Sequence, residues 1–550
     1  MYLHDFLDYW ARRQPDAEFA LHGDRRLTYR QARAAVHRLA AALSRAGLHR
    51  GDRIALLARN CLEYPLLYFA ASRAGVVPVP LNYRAAPAEW GYVVEDAGAR
   101  LLIAAPEYLD AVDALRGQGR LATVGHWLTL GEPDRRGAWE SLHRLAASDP
   151  PRAEAGNSGD AAAGTETGGA AGADATGGDL YQLYTSGTTG QPKGAVLSQR
   201  AVVANLLQIG ATAHRGAPGE RCLVVAPMLH AGVVWSALAP LSWGAALYIL
   251  EDFDPGEVVR VLAEERIGYA ALVPTVLHAC LGAIPDGAGR TFPALRLIHT
   301  GAAPVAESTL LAARAAFGCD VVQGYGLTES VAGLTAMAPE DYARARTDRP
   351  ERLRAAGRAL LGTELRIVDA AGRPLPPGEL GEIVARGPQL MRGYWNRPAA
   401  TAEALRGGWL HTGDVGRLDG DGFLYIQDRL KDVIVSGGSK VFPRMVERVL
   451  LEHPAVADVA VIGTPDAHWG ERVTAVVVRH PEPAGEDAGS GRRVDAADLI
   501  AFCHTRLGGF QCPRAVDFVA ALPRTASGKV LKRSLREAYW AGQERRVGAV

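Results

Sequence analysis

Strand-like and helix-like segments alternate through the first hundred residues, and few folds accommodate that order. Thr28 and Gln31 have the spacing of a capping box, in which each side chain satisfies a backbone N–H at the start of a helix. Val36, Leu39 and Leu43 follow on one helical face, which ends at Gly47. A strand at 53–58 (RIALLA), a helix around YPLLYFAASRAG and a strand VVPVPL come next. The order β-α-β-α predicts an α/β fold with a largely parallel sheet and helices on its faces. After residue 178 the pattern resumes with a helix PGEVVRVLAEERIG, a strand YAALV, a helix PVAESTLLAARAAFG and a strand VVQGYG.

A chain of 550 residues exceeds one ordinary core, so at least two domains are expected. We place a large domain of parallel-rich sheets at 1–430 and a small α+β domain at 431–550. The latter contains a helix PRMVERVLLEHP, strands VADVAVIG and ERVTAVVVRH, and a helix VDAADLIAFCHTRLG. Residues 150–178 are low-complexity Ala, Gly, Thr and Ser, which predicts a disordered insertion. With 60 acidic and 60 basic residues, charge gives no case for a nucleic-acid or anionic-membrane partner. Six scattered cysteines without a C-x-x-C pair read as buried apolar groups in a reducing cytoplasm. Early acidic residues make the N-terminus an amphipathic helix, not a signal peptide. Residues 222–250 carry no Asp, Glu, Lys or Arg, but Pro227, Gly232, Pro240 and Gly244 interrupt them. Interior strands and a helix around a dry cavity are expected there, with no transmembrane segment.

The stretch YTSGTTGQPKGA at 184–195 gathers Thr185, Ser186, Gly187, Thr188, Thr189 and Gly190, and then Lys193. Glycines let several N–H groups converge on an anion, hydroxyls add donors, and the lysine adds charge. It is not a Walker A loop, because Pro192 stands where the second glycine belongs and Gly194 follows the lysine. With the strand DLYQLY before it and a helix capped at Ser198 after it, it reads as a strand–loop–helix phosphate site. Farther on, GYGLTES at 324–330 carries Thr328 and Glu329. A bridging Mg²⁺ is the simplest reason for a carboxylate beside a phosphate site, whereas taken singly Glu329 reads as a solvated glutamate at a helix start. Asp414, Arg429 and Lys529 stand in HTGDVG, DRLKD and PRTASGKVLKR, where each taken singly reads as a surface or turn residue.

In order along the chain run YTSGTTGQPKG, TGAAPV, QGYGLTES, GELGEIVARGP, GWLHTGDVG, DRLKDVIVSGG and LPRTASGKVLKR. That series resembles the acyl-activating, adenylate-forming family of acyl-CoA synthetases, luciferases and non-ribosomal adenylation domains, over nearly the whole chain. The resemblance implies a reaction in two steps with ATP, Mg²⁺ and CoA. A carboxylate displaces pyrophosphate to give acyl-AMP, and a thiol then displaces AMP. It implies that the loop from Thr185 to Lys193 holds the β- and γ-phosphates. Gly301, Ala302, Ala303, Gln323, Gly324, Tyr325 and Gly326 would surround the nucleotide, with Thr328 on the α-phosphate and Glu329 on the metal. Asp414 would take the ribose hydroxyls with Arg429 nearby, and Lys529 would bridge the carboxylate and the α-phosphate. The small domain would turn about Lys431 between the half-reactions, bringing Gly437, Gly438 and Lys440 to the pantetheine tunnel. Met445 departs from the family pattern, which has an acidic residue there, and Lys440 stands where asparagine is common.

In PMLHAGVVW the resemblance puts His230 at the carboxylate end of the acyl pocket. Gly232, Val233, Trp235, Gly324, Gly326 and Leu334 are the candidate walls. All are apolar or lack a side chain, so the acid should be hydrophobic: fatty, aromatic or bulky alicyclic. With no obvious insertion between 330 and 381, CoA is favoured over a carrier-protein phosphopantetheine as acceptor. From another class, a catalytically inactive nucleotide-binding protein is disfavoured by intact Lys529, Glu329 and Asp414. Monomer and homodimer both stay open.

Overall fold

The computed structural model describes residues 1–132, 139–147, 177–185, 191–213, 216–284, 290–303, 305–480, 494–524 and 530–541. The expected disordered insertion therefore lies outside the described residues except for Gly177 and Gly178. The chain clusters into two compact units. One is Met1–Glu364 with Arg386–Leu410, and the other is Leu365–Ala385 with His411–Val550.

The first unit bears out the α/β reading. Its nine-stranded sheet has a parallel centre formed by Asp320–Tyr325, Leu297–Thr300, Ile267–Ala271, Arg221–Val224, Ala246–Ile249 and Glu18–His22, in that order. Antiparallel partners flank both edges. A second sheet of five strands, all parallel, has Arg53–Leu57 inside and Val77–Pro80 at its edge. Pro78 and Pro80 lack an N–H, and an edge strand tolerates that loss. The cap expected at Thr28 is present. Its hydroxyl accepts from Gln31 N at 3.3 Å, and its own N–H donates to Gln31 Oε1 at 2.9 Å. The Thr28→Ala variant should lose about 1 kcal/mol, read as a lower urea midpoint, and Thr28→Ser should keep most of it.

Of the charge-free stretch, the ends are sheet strands, Arg221–Val224 and Ala246–Ile249, and the middle is the short helical run Val234–Leu238 and Ala239–Ser242. No helix among the described residues is long and apolar enough to cross a membrane. Five of the six cysteines are buried and none is paired.

One expectation fails at the glycine-rich stretch. Lys193–Ser198 is a strand antiparallel to Asp179–Thr185, with Thr185 opposite Lys193. The two strands form an antiparallel hairpin, and the helix Gln199–Thr212 starts only after it. Its Ser198 cap accepts from Ala201 N at 3.2 Å. Ala195, Val196 and Leu197 are buried on this strand, which is paired on both sides.

In the second unit, Glu364–Val368, Gly381–Arg386, Leu410–Leu418 and Leu424–Arg429 form a four-stranded sheet. A five-stranded sheet centred on Gly470–Arg479 carries the helices Pro443–Leu451 and Ala496–His504. Ile434, Val446, Val461, Val473, Leu499 and Cys503 fill its core.

Candidate active site

The hairpin and the turn after the strand Asp320–Tyr325 are held together by a distant segment. Gly393–Tyr394 pairs with Val196 and Ala195 of the hairpin. Just before it, the Met391 N–H donates to the Glu329 carbonyl at 2.8 Å. The Tyr394 hydroxyl donates to Glu329 Oε1 at 2.7 Å, and the Lys193 ammonium lies 5.3 Å from the centre of the same ring. Burial first, and then the Glu329 carboxylate, push the Tyr394 phenol well above its ordinary value, so it stays a donor. Thr185, Lys193, Tyr394 and Glu329 thus form one connected patch, with the Thr185 hydroxyl donating to the Lys193 carbonyl at 3.4 Å. Ser186, Gly187, Thr188, Thr189 and Gly190 lie outside the described residues, as does Lys529.

Glu329 fits a magnesium ligand. It is an anionic oxygen donor, oriented by a phenol, beside a lysine-bearing hairpin. Mg²⁺ in nucleotide sites takes one or two carboxylates and completes its shell with phosphate oxygens and water. Among the described residues no three His, Cys, Asp or Glu side chains gather into a metal cage, and an ion shared with phosphates needs none.

Glycines allow the backbones around the expected nucleotide residues to run close together. A Cβ on Gly301 would come 2.8 Å from the Gly324 carbonyl oxygen, and one on Gly326 would come 2.1 Å from that of Ala332. Ala302 holds φ at +66°, a conformation few non-glycine residues adopt, and with Ala303 it is exposed. The Gln323 amide donates to the Leu353 carbonyl at 2.8 Å, Tyr325 pairs with Thr335, and Thr328 opens the turn Thr328–Ser330 that carries Glu329.

His230 is half-buried at a tight turn, its carbonyl accepting from Val233 N at 2.9 Å. Asn60 fixes the preceding stretch through the carbonyl of Ala226 and the N–H of Met228. Val233, Trp235 and Leu334 are buried, whereas Gly232 is exposed with open space around it. The Trp235 indole stacks on His299, with ring centroids 4.0 Å apart and planes 8° from parallel.

In the second unit, Asp414 is 3% exposed and pairs across two strands with Arg429, whose Nε lies 3.1 Å from its carboxylate. Glu382 fixes the start of the same strand, accepting from Gly413 N at 3.2 Å and standing 2.8 Å from His411 Nδ1. Lys431 follows in the turn Leu430–Asp432, where burial and then the Arg429 guanidinium bring its ammonium down to about 8. Gly437 and Gly438, at φ of +56° and +80°, make the two-residue turn between Ile434–Ser436 and Ser439–Val441. A Cβ on Gly437 would strike the Trp469 ring at 2.5 Å. Lys440 is exposed on the second of these strands, and Met445 Sδ lies 3.4 Å from Gln511 Nε2.

Sequence reasoning missed Tyr394, His299 and Asp428. Asp428 is buried and accepts from Arg429 N at 2.7 Å and Arg444 N at 2.8 Å, and burial raises its carboxyl. Only the proximity of His299 to TGAAPV was a signal. Tyr394 meets Glu329 from 65 residues away, which no local pattern announces.

The chain matches the family model of the AMP-binding enzyme over residues 7–395 and that of the AMP-binding enzyme C-terminal domain over residues 445–529. It is 38% identical to a feruloyl-CoA synthase of an Amycolatopsis species, covering 96% of this chain and 97% of that one. It is 36% identical to the long-chain-fatty-acid–CoA ligase FadD13 of Mycobacterium tuberculosis, covering 94% of each. The fold matches a solved Mycobacterium tuberculosis fatty acyl CoA synthetase with a TM-score of 0.72 at 33% identity, over 99% of both chains.

Proposed function

Because the chain belongs to the AMP-binding enzyme family, we propose that it joins a hydrophobic carboxylic acid to CoA through the residues assembled above. It is an AMP-forming acyl-CoA synthetase using ATP, Mg²⁺ and CoA. The residue roles are our reading, and the observation that carries them is the connection of Lys193, Tyr394 and Glu329.

In the first step a carboxylate oxygen attacks the α-phosphorus, and the bond from that phosphorus to the β-bridging oxygen breaks. Pyrophosphate leaves with the electron pair. The Thr185–Lys193 loop holds the β- and γ-phosphates and releases them with the leaving group. Glu329 would hold a Mg²⁺ ion, which when bound would neutralise charge on the phosphate oxygens, and Tyr394 fixes the direction of that carboxylate. Thr328 donates to the α-phosphate, while Gly301, Ala302, Ala303 and Tyr325 border the adenine. Asp414 accepts from the ribose hydroxyls, with Arg429 holding its carboxylate. Lys529 stabilises the charge that builds between the carboxylate and the α-phosphate.

In the second step the CoA thiolate attacks the acyl carbon, the bond from that carbon to AMP breaks, and AMP leaves with the pair. The thiol proton passes to solvent. Between the steps the part of the chain beyond Lys431 turns, so that the Gly437–Gly438 turn replaces Lys529. The acceptor is tested by forming acyl-AMP without thiol, trapping it with hydroxylamine, and adding CoA or a phosphopantetheinylated carrier protein in parallel. CoA should discharge the adenylate. Discharge by the carrier alone would make the chain a carrier-loading ligase instead.

A further inference from the structure

The expected acyl pocket lies at the C-terminal end of the central parallel strands, where open α/β sheets bind ligands. Gly301, Gly324 and Gly333 clear side chains from that region. The protein's own rings occupy the cleared space. His299, 6% exposed on the strand Leu297–Thr300, has its Nε2 only 2.7 Å from where a Gly324 Cβ would stand. Its Cε1 lies 3.7 Å from where a Gly301 Cβ would stand. Trp235, 7% exposed, lies flat on His299. The far edge of the indole, at Cζ2, reaches to 3.2 Å of the Gly333 Cβ position. The indole Nε1 donates to the Ala332 carbonyl at 3.3 Å, on the loop between Gly326 and Leu334. Two stacked rings thus bridge from the sheet strand to that loop, and a hydrogen bond holds the outer ring in one orientation.

Resting on the ligase reading above, we propose that Trp235 and His299 plug the acyl pocket and set its depth. The plug selects aryl acids of cinnamate size over long straight-chain fatty acids. A long alkyl chain would have to displace an indole that is stacked, hydrogen-bonded and buried. A flat acid need not displace it, and aromatic walls favour ring-bearing ligands through offset or edge contacts. The glycines beside the plug then serve to seat the rings, not to line an open tunnel.

The test compares kcat/KM for acid-dependent pyrophosphate release with cinnamate, a hydroxylated cinnamate, octanoate and palmitate. Wild type, Trp235→Ala, Trp235→Leu and His299→Ala are measured side by side. Wild type should prefer the aryl acids. Each of Trp235→Ala and His299→Ala should raise the palmitate-to-cinnamate ratio about tenfold or more, the worth of two or so newly buried methylenes. Trp235→Leu keeps an apolar core residue should the alanine variant not fold, and it should move the ratio the same way. Wild type that uses palmitate as well as cinnamate overturns the plug and leaves the ligase reading standing. Variants that lose activity on all acids alike, with the ratio unchanged, also overturn it. Absence of pyrophosphate release with every acid overturns the ligase reading itself, and the plug with it.

Discussion

The Lys529→Ala enzyme is expected to release pyrophosphate about 10²–10³-fold more slowly, yet to convert supplied acyl-AMP and CoA to thioester at close to the wild-type rate. Charge accumulates between the attacking carboxylate and the α-phosphate only in the first step, so only that step needs the ammonium. Residues on either side of Lys529 are firmly tied within the second unit. Arg524 and Val530 pair as an isolated bridge. The helix Lys532–Tyr539 is pinned by Lys532 to Glu447 at 2.7 Å and by Arg536 to Asp432 at 2.8 Å. Asp432 adjoins the proposed hinge residue Lys431, so one ion pair links that turn to the helix that follows the proposed catalytic lysine. Stopped-flow assays of the two half-reactions check the expectation. Equal loss in both would contradict the alternation of the small domain.

Glu329→Gln should also have a large effect, of another kind. Loss of the anionic oxygen should raise the Mg²⁺ concentration needed for half-maximal ATP binding, measured by calorimetry without acid or CoA. Tyr394→Phe keeps the ring beneath Lys193 but removes the hydroxyl that orients the carboxylate. Loss of such an orienting partner costs about 10–100-fold in metal affinity or activity, so this variant should fall between wild type and Glu329→Gln. Supplied acyl-AMP should still be thiolated by both. If Tyr394→Phe binds MgATP as wild type does, the hydrogen bond to Glu329 is structural only.

Much of this arrangement can be read from local sequence, because local physics dictates it. The caps at Thr28 and Ser198, the buried strand Arg53–Leu57 and the parallel order all follow from short-range pattern. The strand Lys193–Ser198 lies between the glycine-rich stretch and the helix capped at Ser198, and the expected strand–loop–helix order had no place for it. What makes it a strand is pairing with Asp179–Thr185 before it and with Gly393–Tyr394 some two hundred residues later. Tyr394 was missed for the same reason, since it meets Glu329 and Lys193, both remote in sequence. Trp235 was visible as a bulky residue in an apolar run, but its partner His299 lies on another strand. Without that partner, nothing separated a ring that caps the pocket from one that merely lines it. The four-stranded sheet ending at Arg429 clusters with the C-terminal unit through packing that no composition change at 430 records.

The most direct test of the central claim is product stoichiometry with ATP, Mg²⁺ and an aryl acid, with and without CoA. One AMP and one pyrophosphate should form per acyl-CoA, and thioester should appear only when acid, ATP and CoA are all present. Release of ADP and phosphate, or binding of ATP with no acid-dependent pyrophosphate from any acid, would contradict it.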